Sequence, residues 1–168
     1  MSELKLKGRH PLKEKARDEV NDAVEAWLGV RVLPEEGTLI ERARAGPYEV
    51  VLAGGKCFVI LEGHDLEEPM PTLRALMAAK PDVRWVTVDM GAVPFLRNGA
   101  DVMSPGITEA HEDVQAGNLV WVRDEEHGMP LALGKALMSG PEMAGADKGK
   151  AIEVLHYVGD ELWDIGAS

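Results

Sequence analysis

The first half of the chain changes its hydrophobic period from that of a helix to that of strands. Over residues 12–27, apolar side chains recur three and four positions apart, and Gly29 offers a natural helix end. The segments that follow carry short apolar runs separated by glycine and proline, as is typical of strands, at 30–33, 38–43, 48–53 and 57–61. A second short helix is predicted over residues 71–79. We therefore expect a helix, an antiparallel meander with a hairpin turn at Gly54 and Gly55, and a second helix.

The second half is dominated by short predicted strands, at residues 85–88, 92–96, 119–122, 131–137 and 151–158. Gly134 is an expected bulge or kink in one of them. Ser139 and Glu142 have the spacing of a capping box, which predicts a short helix. Many short strands with turn residues at regular spacing indicate a small β-barrel or sandwich. We predict an α+β fold with an N-terminal domain over residues 1–84 and a β-rich domain over residues 85–168.

Charge is distributed unevenly along this acidic chain. The net charge is −11, which by itself argues against a nucleic-acid partner because an acidic surface repels polyanions. Residues 1–17 nevertheless carry a net charge of +4. Such an asymmetry suggests an interaction partner, although a solvated helix start with a frayed tail explains it equally well. The six cations of this basic arm are Lys5, Lys7, Arg9, Lys13, Lys15 and Arg17.

The sequence lacks the motifs that mark catalysis or metal binding. It contains no P-loop, no nucleophile elbow, no zinc-ligand spacing and a single cysteine, Cys57. His156, in the last predicted strand, is better explained as a hydrogen-bonded structural residue than as a catalytic one. We expect no enzyme activity, no catalytic residue, no cofactor and no metal site. No apolar run could cross a bilayer and no signal peptide is visible, so we expect a cytoplasmic protein without a membrane partner.

Residues 97–107 combine a cation with small and turn-forming residues. Gly99 can adopt a positive φ, and Pro105 with Gly106 turns the chain again. A junction of this kind exposes backbone N–H groups beside Arg97, which suits a phosphate or sugar contact. On physical grounds alone, a structural turn explains such a segment more often than a binding role does.

Residues 99–107 also resemble the opening glycine-rich segment of PUA domains, which are named for pseudouridine synthases and archaeosine transglycosylases. Further matching segments follow in order at residues 113–122, 130–139 and 148–163. The last of them is similar to the closing strand and Trp-containing tail of short archaeal proteins and their eukaryotic relatives in the malignant T-cell-amplified sequence family. Residues 69–74 resemble the pre-PUA domain of that family. The resemblance implies a small α+β pre-PUA domain followed by a PUA-type mixed β pseudo-barrel.

This resemblance implies a protein that binds structured RNA, either tRNA or rRNA. Related PUA domains contact the acceptor stem and 3′ end of tRNA. Two-domain relatives act with the small ribosomal subunit in translation initiation or recycling, some of them with a partner resembling density-regulated protein. The contact positions carried over to this chain are Gly99, Ala100, Asp101, Val102, Met103, Pro105 and Gly106. Charge and proximity to the matching segments add Arg97, Lys135, Lys148 and Lys150 as basic support, and the basic arm as an auxiliary surface.

Two alternatives stay open at this point. The acidic body and the N-terminal domain suit a protein-interaction adaptor, and PUA domains also accompany tRNA- or rRNA-modifying enzymes, to which this chain would be an accessory. From Val86 onward, 5 basic residues accompany 14 acidic ones, so we expect weak RNA affinity from this half alone. We expect Trp85, Trp121 and Trp163 mainly in the barrel core or at its closing edge, and Trp27 as the anchor of the first helix.

Overall fold

The computed structural model describes residues 4–166, which divide into two compact units. Unit 1 comprises residues 4–81 together with 161–166, and unit 2 comprises residues 82–160. The change of unit near residue 81 lies close to the boundary that the sequence predicts. The sequence-based second domain, however, includes residues 161–166, which the structure groups with unit 1. Unit 1 is therefore built from two separate stretches of chain.

Unit 1 is a five-stranded antiparallel sheet with three helices. The strands are β1 Leu6–Pro11, β2 Ile40–Ala45, β3 Tyr48–Ala53, β4 Lys56–Glu62 and β5 Met70–Pro71, and they lie in that order across the sheet. The helices are α1 Glu14–Leu28, α2 Leu73–Ala79 and α5 Glu161–Asp164. Helix α1 buries Val20, Val24 and Trp27 and ends at Gly29, whose φ is 76°. The predicted helix, meander and second helix are confirmed.

Two segments of unit 1 differ from the sequence prediction. Residues 30–33 form no strand because the buried side chain of Asn21 binds their backbone: its Oδ1 accepts from the amides of Val32 and Leu33 at 3.1 and 2.8 Å. Residues 6–11 form strand β1 rather than a free tail. This edge strand escaped prediction because its outer residues are exposed and Gly8, at a φ of 65°, interrupts its alternation.

Unit 2 is a six-stranded mixed sheet. The strands are β6 Trp85–Val88, β7 Val102–Met103, β8 Ile107–Ala110, β9 Leu119–Asp124, β10 Pro130–Ala136 and β11 Lys150–Tyr157. Their spatial order is β7-β11-β10-β9-β6-β8, and only β6 and β9 pair in parallel. The short helices are α3 Val93–Leu96 and α4 Gly140–Gly145. The core of this unit is aliphatic, with Val86, Val120, Val122 and Ile152 fully buried.

The two edge strands of this sheet are neighbours along the chain, which curls the sheet into a pseudo-barrel. A 3₁₀ turn of three residues, Ser104–Gly106, connects β7 to β8. Four Cα steps span at most about 15 Å, whereas the edges of a flat six-stranded sheet lie about 24 Å apart. The sheet must therefore bend until its edges approach each other. The predicted α+β architecture with a mixed β pseudo-barrel is confirmed.

Local features of unit 2 show where the sequence prediction holds and where it fails. The Ser139–Glu142 capping box opens α4, and the register shifts at Gly134, where an added Cβ would collide with the Glu153 carbonyl oxygen. The predicted strand at 92–96 is wrong. Its residues form α3, because Pro94 suits the first turn of a helix, and residues 93 and 96, three apart, both face the core.

The tryptophans belong to both units. Trp121 is buried in unit 2 and its indole N–H donates to the Val83 carbonyl at 2.8 Å. Trp27 is buried in unit 1 and donates to the Pro69 carbonyl. The placement of Trp163 in the barrel is wrong, because it lies in α5 of unit 1. No helix among residues 4–166 combines the length and the apolar character needed to span a membrane.

Candidate nucleic-acid interface

A groove of about 510 Å³ lies between α3 and the glycine-rich segment in unit 2. Six of the seven contact positions suggested by the family resemblance line it. These are Ala100, Asp101, Val102, Met103, Pro105 and Gly106. The remaining walls come from the end of β6 and from α3, at Asp89, Gly91, Ala92, Phe95 and Leu96.

The groove has a rigid floor and an apolar rim. The Asp89 amide donates to the Gly106 carbonyl at 2.9 Å, which ties the end of β6 to the 3₁₀ turn. The Asp89 carboxylate accepts from the Ala92 amide at 3.0 Å and so orients the start of α3. At the rim, Phe95 is 66% exposed and Met103 is 49% exposed. Exposed large apolar side chains beside a formed groove mark a candidate binding surface.

Gly99 does not line the groove but shapes the turn behind it. Its φ is 82°, and a Cβ at this position would lie 2.7 Å from the Tyr157 ring. The Gly99 and Ala100 amides donate to the carbonyls of Leu96 and Phe95, both at 3.0 Å. Glycine is therefore required here by backbone conformation and close packing.

Asp101, which directly precedes β7, and Lys150 of β11 form an internal clamp. Lys150 Nζ lies 2.9 Å from Asp101 Oδ2, and the Val154 amide donates to Asp101 Oδ1 at 2.8 Å. Burial alone would raise the pKa of Asp101, but the hydrogen bonds from Lys150 and the Val154 amide hold that pKa below its usual value. The hydrogen bond to Asp101 in turn raises the pKa of Lys150. Both side chains thus have an internal partner beside the groove.

The other predicted cations of unit 2 are distributed unequally around the groove. Arg97 directly follows α3. Lys148 precedes β11, and the start of β11 lies beside the glycine-rich segment because the Ser104 amide donates to the Gly149 carbonyl. Both side chains are exposed and, within residues 4–166, make no ion pair. Lys135 is also exposed, but it lies in β10 opposite Glu153 and does not line the groove.

The basic arm is part of the folded structure of unit 1. Arg9 forms a bidentate pair with Glu41, at 2.9 and 3.1 Å. Arg17 donates to the Glu35 carbonyl at 2.8 Å and lies near two carboxylates. The remaining cations, Lys5, Lys7, Lys13 and Lys15, are exposed. Two of the six cations therefore have internal partners, and the arm is not a free tail.

Sequence reasoning missed the α3 wall of the groove. Phe95 was assigned to a strand, so its exposure beside the glycine-rich segment could not be foreseen. The available signal was Pro94 followed by two residues without alternation. His156 is fully buried and its Nδ1 lies 2.8 Å from Asp160 Oδ2, as expected of a structural histidine. Among the described residues, no group of three or more potential ligands is arranged to hold a metal ion.

Comparisons with known proteins agree with this geometry. Residues 84–158 match the PUA domain family. An uncharacterized protein from Methanocaldococcus jannaschii is 37% identical over 164 residues, which cover 96% of this chain and 99% of that protein. Among solved structures, a conserved PUA domain protein from Thermoplasma acidophilum has a TM-score of 0.80 at 28% identity, covering 95% of this chain and 99% of that one. A hypothetical protein from Pyrococcus horikoshii has a TM-score of 0.76 at 34% identity, with 95% and 99% coverage.

Eukaryotic relatives match a shorter region. Translation machinery-associated protein 20 of Saccharomyces cerevisiae is 33% identical over 105 residues, 59% of this chain and 58% of that protein. The malignant T-cell-amplified sequence 1 homolog of Drosophila melanogaster is 35% identical over 99 residues, 56% of this chain and 53% of that protein. The match thus spans somewhat more than half of each of these two relatives. Together, the near-complete archaeal match, the PUA assignment and the eukaryotic similarities show that the chain belongs to the archaeal PUA-domain RNA-binding proteins that resemble the malignant T-cell-amplified sequence family.

Proposed function

We propose that the groove of unit 2 binds the unpaired 3′ end of a tRNA and that the protein acts in translation together with the small ribosomal subunit. The observation that supports this most directly is the pair of exposed apolar side chains, Phe95 and Met103, at the rim of a groove built by the glycine-rich segment. Unpaired ends of RNA present bases that can stack on such side chains.

The size of the groove and two cations near it suit a nucleotide. Its volume of about 510 Å³ lies within the range of small-molecule sites. Arg97 and Lys148 stand beside it with free charges available to phosphates, whereas Lys150 is already paired with Asp101. Since unit 2 is acidic overall, we expect stacking to contribute most of the affinity and phosphate contacts the smaller share.

The proposed cellular role, in translation, is based on the name of a related protein. Translation machinery-associated protein 20 carries a role in translation in its name, and it is similar to this chain over 105 residues. We extend that setting to this protein, with the small ribosomal subunit and a protein resembling density-regulated protein as expected partners. In this scheme RNA recognition belongs to unit 2, and any catalysis belongs to another chain.

The test is fluorescence anisotropy of the full chain with labelled tRNA, either intact or lacking its 3′ CCA. We expect tighter binding of intact tRNA. Gly106→Glu places a carboxylate in the groove, where an added Cβ meets only the Ala92 methyl at 3.4 Å, so it should remove the preference for intact tRNA and leave the fold unchanged. Gln115→Glu is the matched control, because it adds the same charge at an exposed position outside the groove.

Two results would contradict the proposal. One is equal affinity for intact and truncated tRNA. The other is unchanged binding by Gly106→Glu with a native circular dichroism spectrum. Either result would favour an adaptor that recognises protein partners.

A further inference from the structure

We propose that unit 1 carries a second RNA contact, a basic face that binds the phosphate backbone independently of the groove. This basic face consists of Lys7, His10, Arg42 and Arg44. It deepens the proposed function and rests on it only for the class of ligand. Arg42 and Arg44 lie outside the basic arm, and the pairing of β1 with β2 brings them beside His10 and beside Lys7 of that arm.

A bulge in β1 places these four residues on one side of the sheet. Lys7 lies opposite Arg44, and His10 lies opposite Arg42. Opposed residues of an antiparallel pair share a face, with Cβ atoms about 5 Å apart. Residues 7 and 10 would point to opposite faces in a regular strand, because side chains alternate. The register shift at Gly8, whose φ is 65°, adds the extra residue that turns both to the same face.

The same bulge leaves Arg9 on the other face of the sheet from Lys7 and His10. Arg9 points to the opposite face, where it pairs with Glu41, which is only 8% exposed. Lys7 and His10 remain exposed on the edge strand. The Gly8 carbonyl lies 2.7 Å from His10 Nδ1. A carbonyl only accepts, so Nδ1 carries the hydrogen, and Nε2 is the ring nitrogen left for solvent or a ligand.

The two arginines are held in position without losing their binding capacity. Glu49 on β3 bridges them, accepting from Arg42 Nε and from Arg44 Nη1, each at 3.2 Å. A guanidinium has five N–H donors, so each arginine keeps most of its donors. Its planar group suits bidentate recognition of phosphate. A bridging carboxylate also lowers the entropy that the side chains lose when they bind.

Charges on this face are segregated towards the sheet edge. Two acidic residues of the same face, Glu49 on β3 and Glu62 on β4, lie opposite each other. The cations lie on β1 and β2. A polyanion that approaches from the β1 edge therefore meets the cations first. Repulsion from carboxylates elsewhere on the chain is screened beyond about 8 Å at physiological salt. An acidic protein surface would meet the same cations, but a repeating phosphate backbone matches their row of cross-strand neighbours.

The experiment measures how the affinity of the full chain for a tRNA lacking its 3′ CCA depends on salt between 50 and 200 mM. This probe lacks the proposed groove ligand, so it isolates backbone contacts. Each phosphate contact adds about 0.7 to 0.9 to the slope of log affinity against log salt. Lys7→Ala combined with Arg44→Ala should therefore reduce the slope by about 1.4 to 1.8. The control, Lys56→Ala combined with Lys80→Gly, removes the same charge from exposed positions outside both the basic face and the basic arm and should leave the slope close to wild type.

The outcomes separate this proposal from the proposed groove function. A reduced slope only in the face variant supports the basic face, whether or not the groove discriminates intact from truncated tRNA. An equal reduction in the control would show a general charge effect and overturn the proposal. An unchanged slope in the face variant would overturn it as well and favour an acidic protein as the occupant. Lys7→Glu, on the exposed edge strand, provides the same test if Arg44→Ala disturbs the pairing of β2 with β3.

Discussion

Asp101 is predicted to stabilise the protein rather than to contact RNA, and its substitution should reveal this. The carboxylate is 28% exposed and ties the residue that precedes β7 to β11. One oxygen accepts from the Val154 amide and the other from Lys150. Asp101→Ala removes both acceptors, whereas Asp101→Asn keeps a neutral acceptor for the amide. We therefore expect Asp101→Ala to lower the stability of the protein more than Asp101→Asn does.

The expected loss in the free energy of unfolding is worked out from the hydrogen bond that the Val154 amide donates to Asp101. A hydrogen bond to a charged group contributes about 1.5 to 3 kcal/mol, and a neutral one about 0.5 to 1.5 kcal/mol. Because Asp101 is partly exposed, we expect Asp101→Ala to lower the free energy of unfolding by about 2 kcal/mol, and Asp101→Asn by about 1 kcal/mol. With a urea dependence of about 2 kcal/mol per M, the first change shifts the unfolding midpoint by about 1 M.

The pH dependence gives an independent signature. The pKa of Asp101 is lower in the folded protein than in the unfolded chain, where an aspartate titrates near about 3.9. The stabilisation is therefore fully present above that value and is lost as the pH falls through the folded pKa. The difference in urea midpoint between wild type and Asp101→Ala should be constant at pH 5 and pH 7 and should shrink at pH 3.

The control is Asp147→Ala, which removes an exposed carboxylate that has no ion pair within the described residues. If Asp101→Ala unfolds at the same urea concentration as Asp147→Ala, the clamp contributes no stability. If Asp101→Ala keeps wild-type stability and loses affinity for intact tRNA, Asp101 is a direct contact. Either result would refute the structural role argued here.

Three further substitutions test other parts of the structure. Phe95→Ala should leave the melting temperature nearly unchanged and weaken binding of intact tRNA about 5- to 150-fold, since a stacked base contributes about 1 to 3 kcal/mol; Met129→Ala, exposed outside the groove, should not weaken it. Gly99→Ala should lower stability by about 2 kcal/mol because of its positive φ and the contact with Tyr157, which a urea titration would detect. Arg74→Ala removes the guanidinium that stacks 4.0 Å from the ring of Trp163 and donates to its carbonyl, so amides of residues 161–166 should exchange hydrogen faster. Unchanged exchange would show that α5 is held by other contacts.

Much of the fold could be predicted from periodicity because the relevant signals are local. Helix α1 has spaced apolar residues over about four turns and a glycine end, and the meander has a Gly-Gly hairpin. The failures share a cause. Residues 92–96 are too short for their period to distinguish a helix from a strand, and residues 30–33 owe their conformation to Asn21, which lies elsewhere in the sequence.

The candidate site could be predicted only in part, because physical reasoning alone favoured a structural turn for residues 97–107. The family resemblance identified the segment, and the structure then separated its residues by role. Gly99 packs against Tyr157, and Asp101 binds Lys150 and Val154, partners about fifty positions away. Pairings at such sequence separations depend on the register of β7 against β11, which no local pattern reveals.

The return of residues 161–166 to unit 1 has a consequence for the order in which the protein forms during synthesis. Every residue of unit 2 is synthesised before residue 161, whereas unit 1 also needs residues 161–166. Unit 1 must wait, because α5 supplies the Trp163 ring and carbonyl that engage Arg74. The part of unit 1 that precedes residue 82 is thus made first, but its contacts with α5 can form only after all of unit 2 has been synthesised.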